Sequence, residues 1–301
     1  MTTNHLQFVP AKPFLKWAGG KTQLIPEISK RIPYHPSQSF TYVEPFIGSG
    51  AVFFWIVNHF PNITKAIIND LNSDLICVYQ TIAEKVEQLI GLLKQYESEY
   101  HVLIDQPEEK SWYYYSKRDL YNLRTSENLV QTALFIFLNR TCYNGLYRVN
   151  KRNGYNVPIG SYRKPKICFE QNLRAVSQSL KKVIILNTDF ENTLTYINNE
   201  SFCYIDPPYK PLTITSSFNS YAQDTFDDAE QIRLKEFCDT LNNNGHKWLL
   251  SNSDSLEGVM NTDFFDKLYA GYNIKRVLAK RSINSNPHKR GLLNELLITN
   301  Y

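Results

Sequence analysis

The sequence predicts an α/β fold whose sheet is interrupted by a mainly helical stretch, and three observations carry that prediction. Between Thr41 and Asp70 an apolar strand, a glycine turn, an apolar helix and a second strand ending in an acid follow one another, which is the order of a nucleotide-binding βαβ unit. From residue 83 to about 140 the pattern becomes helical, with Val86, Leu89, Ile90 and Leu93 at helical spacing. Strand-like runs then return at Val183–Leu186, Phe202–Ile205 and Trp248–Ser251. One continuous α/β domain is the plainer alternative; an α/β domain split by a recognition insert accounts better for the change in the middle.

Element by element, Phe14 to Lys21 runs into a helical pattern over Leu24–Ile32. Thr41–Glu44 is β-rich and stops at Pro45; Phe46–Gly50 is the glycine turn; Ala51–His59 is an apolar helix. Lys65–Asp70 is the second strand, and a helix spans Ser73 to about Ile82. Turn signals at Asn144-Gly145 and Asn153-Gly154, set between short alternating runs, predict a hairpin over Tyr143–Tyr162. A last pair of strands is expected at Tyr272–Leu278 and Glu295–Thr299.

Composition bounds the rest. A length of 301 residues corresponds to one large domain or one with a sizeable insert. The charge balance is 33 − 29 = +4 with pI near 8.6, the hydrophobic fraction is 43% and the charged fraction 21%, which excludes disordered, collagenous and coiled-coil classes. Aromatic residues reach 14%, favouring flat surfaces for packing or for stacking on bases. The apolar runs are short, Ala133–Leu138 being about the longest, and fall far short of the ~20 residues of a membrane span. Met1–His5 lacks the charged start of a signal peptide. Cys77, Cys142, Cys168, Cys203 and Cys238 are scattered, without Cys-x-x-Cys or His-paired spacing. They read as reduced thiols of a cytoplasmic protein with no structural metal.

Charge is unevenly placed. Arg140, Arg148, Lys151, Arg152, Arg163, Lys164, Lys166, Arg174, Lys181 and Lys182 share residues 140–182 with Glu170 as the sole acid. Lys275, Arg276, Lys280, Arg281, Lys289 and Arg290 form a second patch. With Tyr143, Tyr147, Tyr155 and Tyr162 beside the first, these patches suit a phosphate backbone; a solvated charged face is the alternative.

Asp206-Pro207-Pro208-Tyr209 directly follows the Phe202–Ile205 strand, so the acid should stand at a strand's carboxyl end, where open α/β sheets place their sites. Two prolines fix φ and remove donors, leaving a rigid loop that offers a carboxylate, a carbonyl and an aromatic face. Those groups suit a planar exocyclic amine, two acceptors taking its two hydrogens while the ring stacks. Held so, the nitrogen lone pair leaves conjugation and turns toward an electrophile. An ordinary Asp-Pro turn with a packed tyrosine is the alternative. Glu44, Phe46, Gly48 and Gly50 belong to a turn built for close approach of backbone to a ligand, and Asp70, twenty residues after Gly50, is placed to bind ribose hydroxyls. Phe53 stands where a dinucleotide fingerprint needs its third glycine. A ribose acid without a pyrophosphate cradle points to a nucleoside cofactor lacking phosphates, and S-adenosylmethionine fits. Gly20-Lys21-Thr22 is not a P-loop, since Leu15 occupies the required first glycine.

Together, Phe14–Lys21, Val43–Gly50, Asn69–Leu75, Asn139–Tyr147, Asp206–Tyr209, Arg281–Asn286 and Glu295–Leu297 resemble the Dam-type family of DNA adenine-N6 methyltransferases, including methylases of restriction systems that recognise GATC. The order of cofactor motif, insert and Asp-Pro-Pro-Tyr is that family's α arrangement. The resemblance implies a Rossmann-like S-adenosylmethionine-dependent methyltransferase sheet over 1–82 and 171–301. Between them, over 83–170, it implies an inserted, mainly helical target-recognition domain carrying a β-hairpin. It further implies that Trp17, Lys21, Asp70 and Asp206 contact S-adenosylmethionine, and that Asp206, Pro207, Pro208 and Tyr209 hold a flipped adenine. Double-stranded DNA is the implied partner. Tyr143 would insert into the duplex beside Asn144; Leu146, Arg148, Pro158 and Tyr162 would read base edges; Lys16 would contact the guanine before the target. The segment His101–Ser111 aligns with no family motif, and Thr141-Cys142 departs from the pattern.

The expected reaction is in-line displacement at a sulfonium methyl, to which orientation contributes roughly 7–11 kcal/mol. The scattered histidines supply no base. An adenine must first leave the duplex, at a few kcal/mol, and Arg148 is the candidate for a bidentate guanine contact worth about 1–3 kcal/mol. From the residues alone, the amine could equally belong to cytosine or to RNA, and a catalytically silent DNA-binding module remains a further alternative.

Overall fold

The computed structural model describes residues 9–198, 200–209, 226–254, 263–280 and 292–301. Among them the strands form one seven-stranded sheet in the order β3-β2-β1-β4-β5-β7-β6. The strands are β1 (Phe40–Glu44), β2 (Ile63–Asn69), β3 (Val183–Leu186), β4 (Ser201–Ile205), β5 (Lys247–Ser253), β6 (Asn273–Lys280) and β7 (Leu292–Thr299). The first five run parallel, while β7 lies antiparallel between β5 and β6. Chain order reverses between β1 and β4, so the crevice outside their carboxyl ends is the topological switch point.

Every residue of β1 and β4 is buried, because helices cover both faces of the sheet. The faces divide with a period of two. Tyr42, Ala66, Ile68, Phe202, Tyr204 and Leu249 point into one core, and Val43, Ile67, Cys203, Ile205, Trp248 and Leu250 into the other. The second core is closed by α7 (Asp228–Asn243) and α8 (Phe264–Leu268). The first is closed by α2 (Ala51–His59), α3 (Ser73–Val102), α4 (Pro107–Leu123), α5 (Asn128–Thr141) and α6 (Glu170–Leu180). The Ala133–Leu138 run lies inside α5 and is buried on all sides. Leu89, Tyr114 and Phe137 share one buried cluster with Tyr42 and Phe202, so the helical stretch after β2 packs on the sheet instead of forming a core of its own.

Three local expectations need correction. The Leu24–Ile32 helix is a 3-10 turn at Lys21–Gln23 followed by a short α1 (Ile25–Ser29), since Pro26 is tolerated only in a first turn. The helix from Ser73 reaches slightly past Ile82: non-helical angles at Lys85 (φ −132°, ψ 34°) break α3 there, and a second helical stretch runs on to Val102, so the 82/83 line falls just before the break. The Tyr143–Tyr162 hairpin is not a ladder of two strands. It is a 3-10 turn at Tyr143–Gly145 and two isolated antiparallel bridges, Cys142↔Ile159 and Val149↔Tyr155. Pro158 lies between the bridges and has no N–H for a ladder, and Asn144 and Gly145 turn the chain with φ of 54° and 65°.

The loop is instead anchored by side chains. Asp74, in the first turn of α3, accepts from Tyr121 Oη at 2.7 Å, Tyr147 Oη at 2.9 Å and Arg124 at 2.5 Å, and Arg124 also donates to the carbonyl of Asn153 at the loop's tip. At the start of α2, Gly50 has φ of 72°, and a Cβ there would lie 2.7 Å from Tyr79 Oη and 2.9 Å from the Phe54 ring.

Two stability outcomes are expected. Asp74→Ala strands three partly buried donors and should lower the free energy of unfolding in urea by about 1–3 kcal/mol. Gly50→Ala combines left-handed backbone with overlap and should cost at least about 1–3 kcal/mol in the same measurement; a neutral result in either variant would remove the corresponding contact from the account.

Candidate active site

At the switch point lies a cavity of about 910 Å³. Its first wall is the turn after β1. Asp70, one residue past β2, accepts from Gly48 N at 3.0 Å and Asn72 N at 3.0 Å, so the acid is oriented by the turn it faces. Tyr79 Oη donates to the Gly48 carbonyl at 3.0 Å. Gly48 has φ of 47°, and a Cβ on it would lie 3.3 Å from the Trp17 indole; the tight approach that a glycine serves here is to Trp17. The indole in turn stacks on Tyr147 at 5.3 Å and Phe135 at 6.3 Å. Glu44 is buried and accepts from Tyr42 Oη at 2.5 Å; burial holds its carboxyl well above the ordinary range.

The second wall follows β4. Asp206 Oδ1 lies 2.9 Å from Lys21 Nζ and accepts from Ser251 Oγ at 3.2 Å. Lys21, 5% exposed, also donates to the Gly19 carbonyl at 3.1 Å and to Tyr209 Oη, and its ammonium stands 4.3 Å over the Tyr209 ring. Tyr209 Oη donates to Glu295 Oε2 at 2.5 Å, and that carboxylate is 3.9 Å from Lys21 Nζ. Burial raises the carboxyls of Asp206, Glu295 and Asp70, the Lys21 charge pulling the first two back and backbone hydrogen bonds the third. Burial drives the Tyr209 phenol far above its usual value, so it is a hydrogen-bond donor at any physiological pH.

The third wall escaped the sequence reading. Thr188, Asp189, Phe190, Phe226, Glu230 and Arg233 line the same cavity. Phe46 packs against Phe190 at 5.4 Å and Phe226 at 5.8 Å, giving an aromatic patch on the cavity wall. Arg233 braces it from behind, bonded to Asp189, Glu191 and Glu230 and 4.5 Å over the Phe190 ring. The available signal was Asp189-Phe190 just after the third parallel strand, an acid at a strand end like Asp70. With Glu44, Asp70, Asp189, Asp206, Asp227 and Glu230 set against Lys21 and Arg233, the cavity disfavours polyphosphate and suits a cationic ligand with a flat ring.

Most of the residues expected to contact DNA gather in one loop, which is joined to the cavity through the Trp17–Tyr147 stack. Lys16 Nζ stands 4.1 Å over the Tyr162 ring, and Asn139 clamps Lys16 by accepting from its N–H and donating to its carbonyl. Tyr143 N donates to the Pro158 carbonyl at 2.9 Å, and the Leu146 carbonyl accepts from Tyr155 Oη at 2.9 Å. Tyr143, 48% exposed, and Asn144 project from the surface. Arg148 stands farther along the loop, bound to the Asn156 side chain at 2.6 Å and its carbonyl at 3.2 Å.

The basic patches are less uniform than their sequence implied. Arg174 pairs with Glu87 and Glu170, Lys166 with Glu97, and Arg163 with Asp105, because α3 and the turn after it bring acids from outside residues 140–182. Arg140 donates to the Phe14 carbonyl and lies over Phe169. In the second patch Arg276 is paired with Asp254 and Asp266; Arg281, Lys289 and Arg290, with the Arg281–Asn286 motif, lie outside the described residues. Among the described residues the cysteines are free, no cluster suits a metal ion, and no helix is long and apolar enough to cross a membrane.

Comparison with known proteins follows the same lines. The D12 class N6 adenine-specific DNA methyltransferase family matches residues 17–283. The chain is 47% identical to the type II methyltransferase M.MjaIII of Methanocaldococcus jannaschii, over 96% of this chain and 99% of that one. It is 36% identical to the type II methyltransferase M1.LlaDCHI of Lactococcus lactis subsp. cremoris, covering 96% and 95%. It is 34% identical to the DNA adenine methylase of Haemophilus influenzae, covering 95% and 92%. With the match spanning Trp17, the turn after β1, Asp70, Asp206–Tyr209 and the Tyr143–Tyr162 loop, the chain belongs to the D12 class of N6 adenine-specific DNA methyltransferases.

Proposed function

We propose that the cavity binds S-adenosylmethionine, that the Asp206–Tyr209 wall grips an adenine swung out of double-stranded DNA, and that the target sequence is GATC. The observation that carries this reading is the junction of the acid-lined cavity with the Asp-Pro-Pro-Tyr wall at the β1/β4 switch point. When bound, the donor supplies an electrophilic methyl group on a sulfonium.

The chain's own residues do the rest. Asp70 would accept from the ribose hydroxyls, and the Phe46, Phe190 and Phe226 rings and Trp17 would offer apolar faces to the donor's adenine. Asp206, Asp70 and the neighbouring acids favour the sulfonium charge. Lys21 and Ser251 both converge on Asp206 Oδ1, which leaves Oδ2 to accept one hydrogen of the target amine while the Pro207 carbonyl accepts the other. Pro208 stiffens the wall and Tyr209 stacks on the base. The nitrogen lone pair is then directed at the methyl carbon, and such placement supplies most of the rate enhancement in a reaction that needs no strong base.

Residues 83–170 are assigned to target recognition. Tyr143 fills the space the adenine leaves, with Asn144 beside it; Lys16, Leu146, Arg148, Pro158 and Tyr162 read base edges. The GATC assignment rests on the likeness of these residues to the readers of the Dam-type family. Arg148, steadied by Asn156, has the fork that guanine recognition uses.

Two experiments test the reading. Plasmid DNA incubated with the enzyme and S-adenosylmethionine should become resistant to a nuclease blocked by adenine methylation at GATC and sensitive to one that requires it. Asp206→Ala should abolish both changes with an unaltered circular dichroism spectrum. Methyl incorporation at sites other than GATC would overturn the target assignment, and full activity of Asp206→Ala would overturn the site. The second experiment uses pH. Asp70 and Asp206 line the cavity and have carboxyls raised by burial, so they take up protons in a range above the ordinary carboxylate value, and a cationic ligand binds better to their ionised forms. Affinity for S-adenosylmethionine, measured by calorimetry, should therefore fall as pH drops from about 8 to about 5. S-adenosylhomocysteine, whose sulfur is neutral, should lose less; equal losses for the two would show that the acids do not sense the sulfonium.

A further inference from the structure

We propose that Glu295 is a positioning residue for methyl transfer: its carboxylate holds the Tyr209 phenol and so sets the ring against which the target base stacks. The inference deepens the reading of the Asp206–Tyr209 wall given above and rests on it.

The placement follows from topology. The five parallel strands all end at the switch-point edge, but β7 runs the other way, with Glu295 opposite Ser253 at the carboxyl end of β5. An antiparallel strand set among parallel ones thus begins, rather than ends, beside the site, and its early acid reaches the wall from the far end of the chain. The Glu295 side chain is 16% exposed. Its Oε2 accepts from Tyr209 Oη at 2.5 Å and lies 3.9 Å from Lys21 Nζ.

Tyr209 needs such a partner. Pro207 and Pro208 fix the backbone on its amino-terminal side, yet the ring's rotation about its side-chain bonds is free of that constraint. Lys21 alone would not settle it, since the same ammonium is shared among Asp206, the Gly19 carbonyl and the phenol. With Glu295 accepting its hydrogen, the phenol presents lone pairs to Lys21, and the ring is held at two points. Without Glu295 the phenol has Lys21 as its remaining partner and competes with Asp206 for it, loosening both the stacking face and the carboxylate that accepts the amine. Donor binding rests mainly on Trp17, Phe46 and Asp70, which Glu295 does not touch, and the Lys21–Asp206 ion pair persists without Glu295, so donor affinity should be largely spared.

The test is a four-variant set, Glu295→Ala, Glu295→Gln, Tyr209→Phe and Tyr209→Phe/Glu295→Ala, with Tyr209→Ala as reference. Each is assayed for kcat with tritiated S-adenosylmethionine and plasmid DNA, for donor Kd by equilibrium dialysis, and for its melting midpoint. Glu295→Ala is expected to lower kcat roughly ten- to hundredfold with donor Kd changed by less than about threefold. Glu295→Gln, whose amide oxygen can still accept from the phenol, is expected to recover kcat to within about fivefold of the parent enzyme. The double variant should be no slower than the slower single one, since both substitutions break the same hydrogen bond. Multiplying losses, a Glu295→Gln as slow as Glu295→Ala, or a Glu295→Ala at full kcat would each overturn the role of Glu295. Should Glu295→Ala lower the melting midpoint, the Glu295→Gln and Tyr209→Phe pair decides alone. Full kcat in Tyr209→Ala would instead sink the reading of the wall itself, so the two failures are distinguishable.

Discussion

The Lys21 ammonium is the constraint on which the site depends. It is buried among groups from three distant parts of the chain: its own amino-terminal loop, the Asp206–Tyr209 turn after β4, and Glu295 on β7. A buried cation is tolerable only when its charge and its hydrogens are both satisfied, so the three parts must arrive in register or the ammonium is stranded. The same requirement aims the Asp206 carboxylate. Removing water from this edge is costly for each acid taken singly, as the raised carboxyls show, and Lys21 offsets part of that cost for two of them.

A second hub lies one layer away. Asp74 gathers Tyr121, Tyr147 and Arg124, and the Tyr147 ring lies against Trp17, which packs on Gly48 of the cavity wall. A continuous set of contacts thus joins the cavity to the loop that carries Tyr143 and Arg148. The loop needs this anchoring because its own backbone supplies little: two bridges separated by Pro158 do not make a hairpin that stands by itself.

Much of the chemistry was legible in short runs of sequence. Asp206-Pro207-Pro208-Tyr209 after an apolar strand, the Gly48–Gly50 turn and Asp70 are local patterns, and the structure brings Trp17, Lys21, Glu44, Phe46, Asp70, Asp206 and Tyr209 to one cavity. The residues alone left open adenine or cytosine, DNA or RNA, enzyme or silent binder; family membership decides for an adenine-specific DNA methyltransferase. Reading charge along the chain overstated the basic patches, because Glu87, Glu97, Asp105, Asp254 and Asp266 reach them only through folding. The hairpin was overstated for a related reason, as turn signals report local φ preferences and not whether a ladder can form across Pro158.

By itself the sequence determined the alternation of strand and helix and the acids standing at strand ends, since these depend on periodicity and on the few residues either side of a turn. Tertiary structure alone decided which acids share Lys21, that Glu295 faces Tyr209, that Asp189 and Phe190 complete the cavity, and that the helical stretch on either side of the Lys85 break packs on the sheet. The reason is physical. Local backbone preferences act over a handful of residues, whereas burial and charge pairing act between any groups that the packed layers bring within a few ångströms, however far apart they lie along the chain.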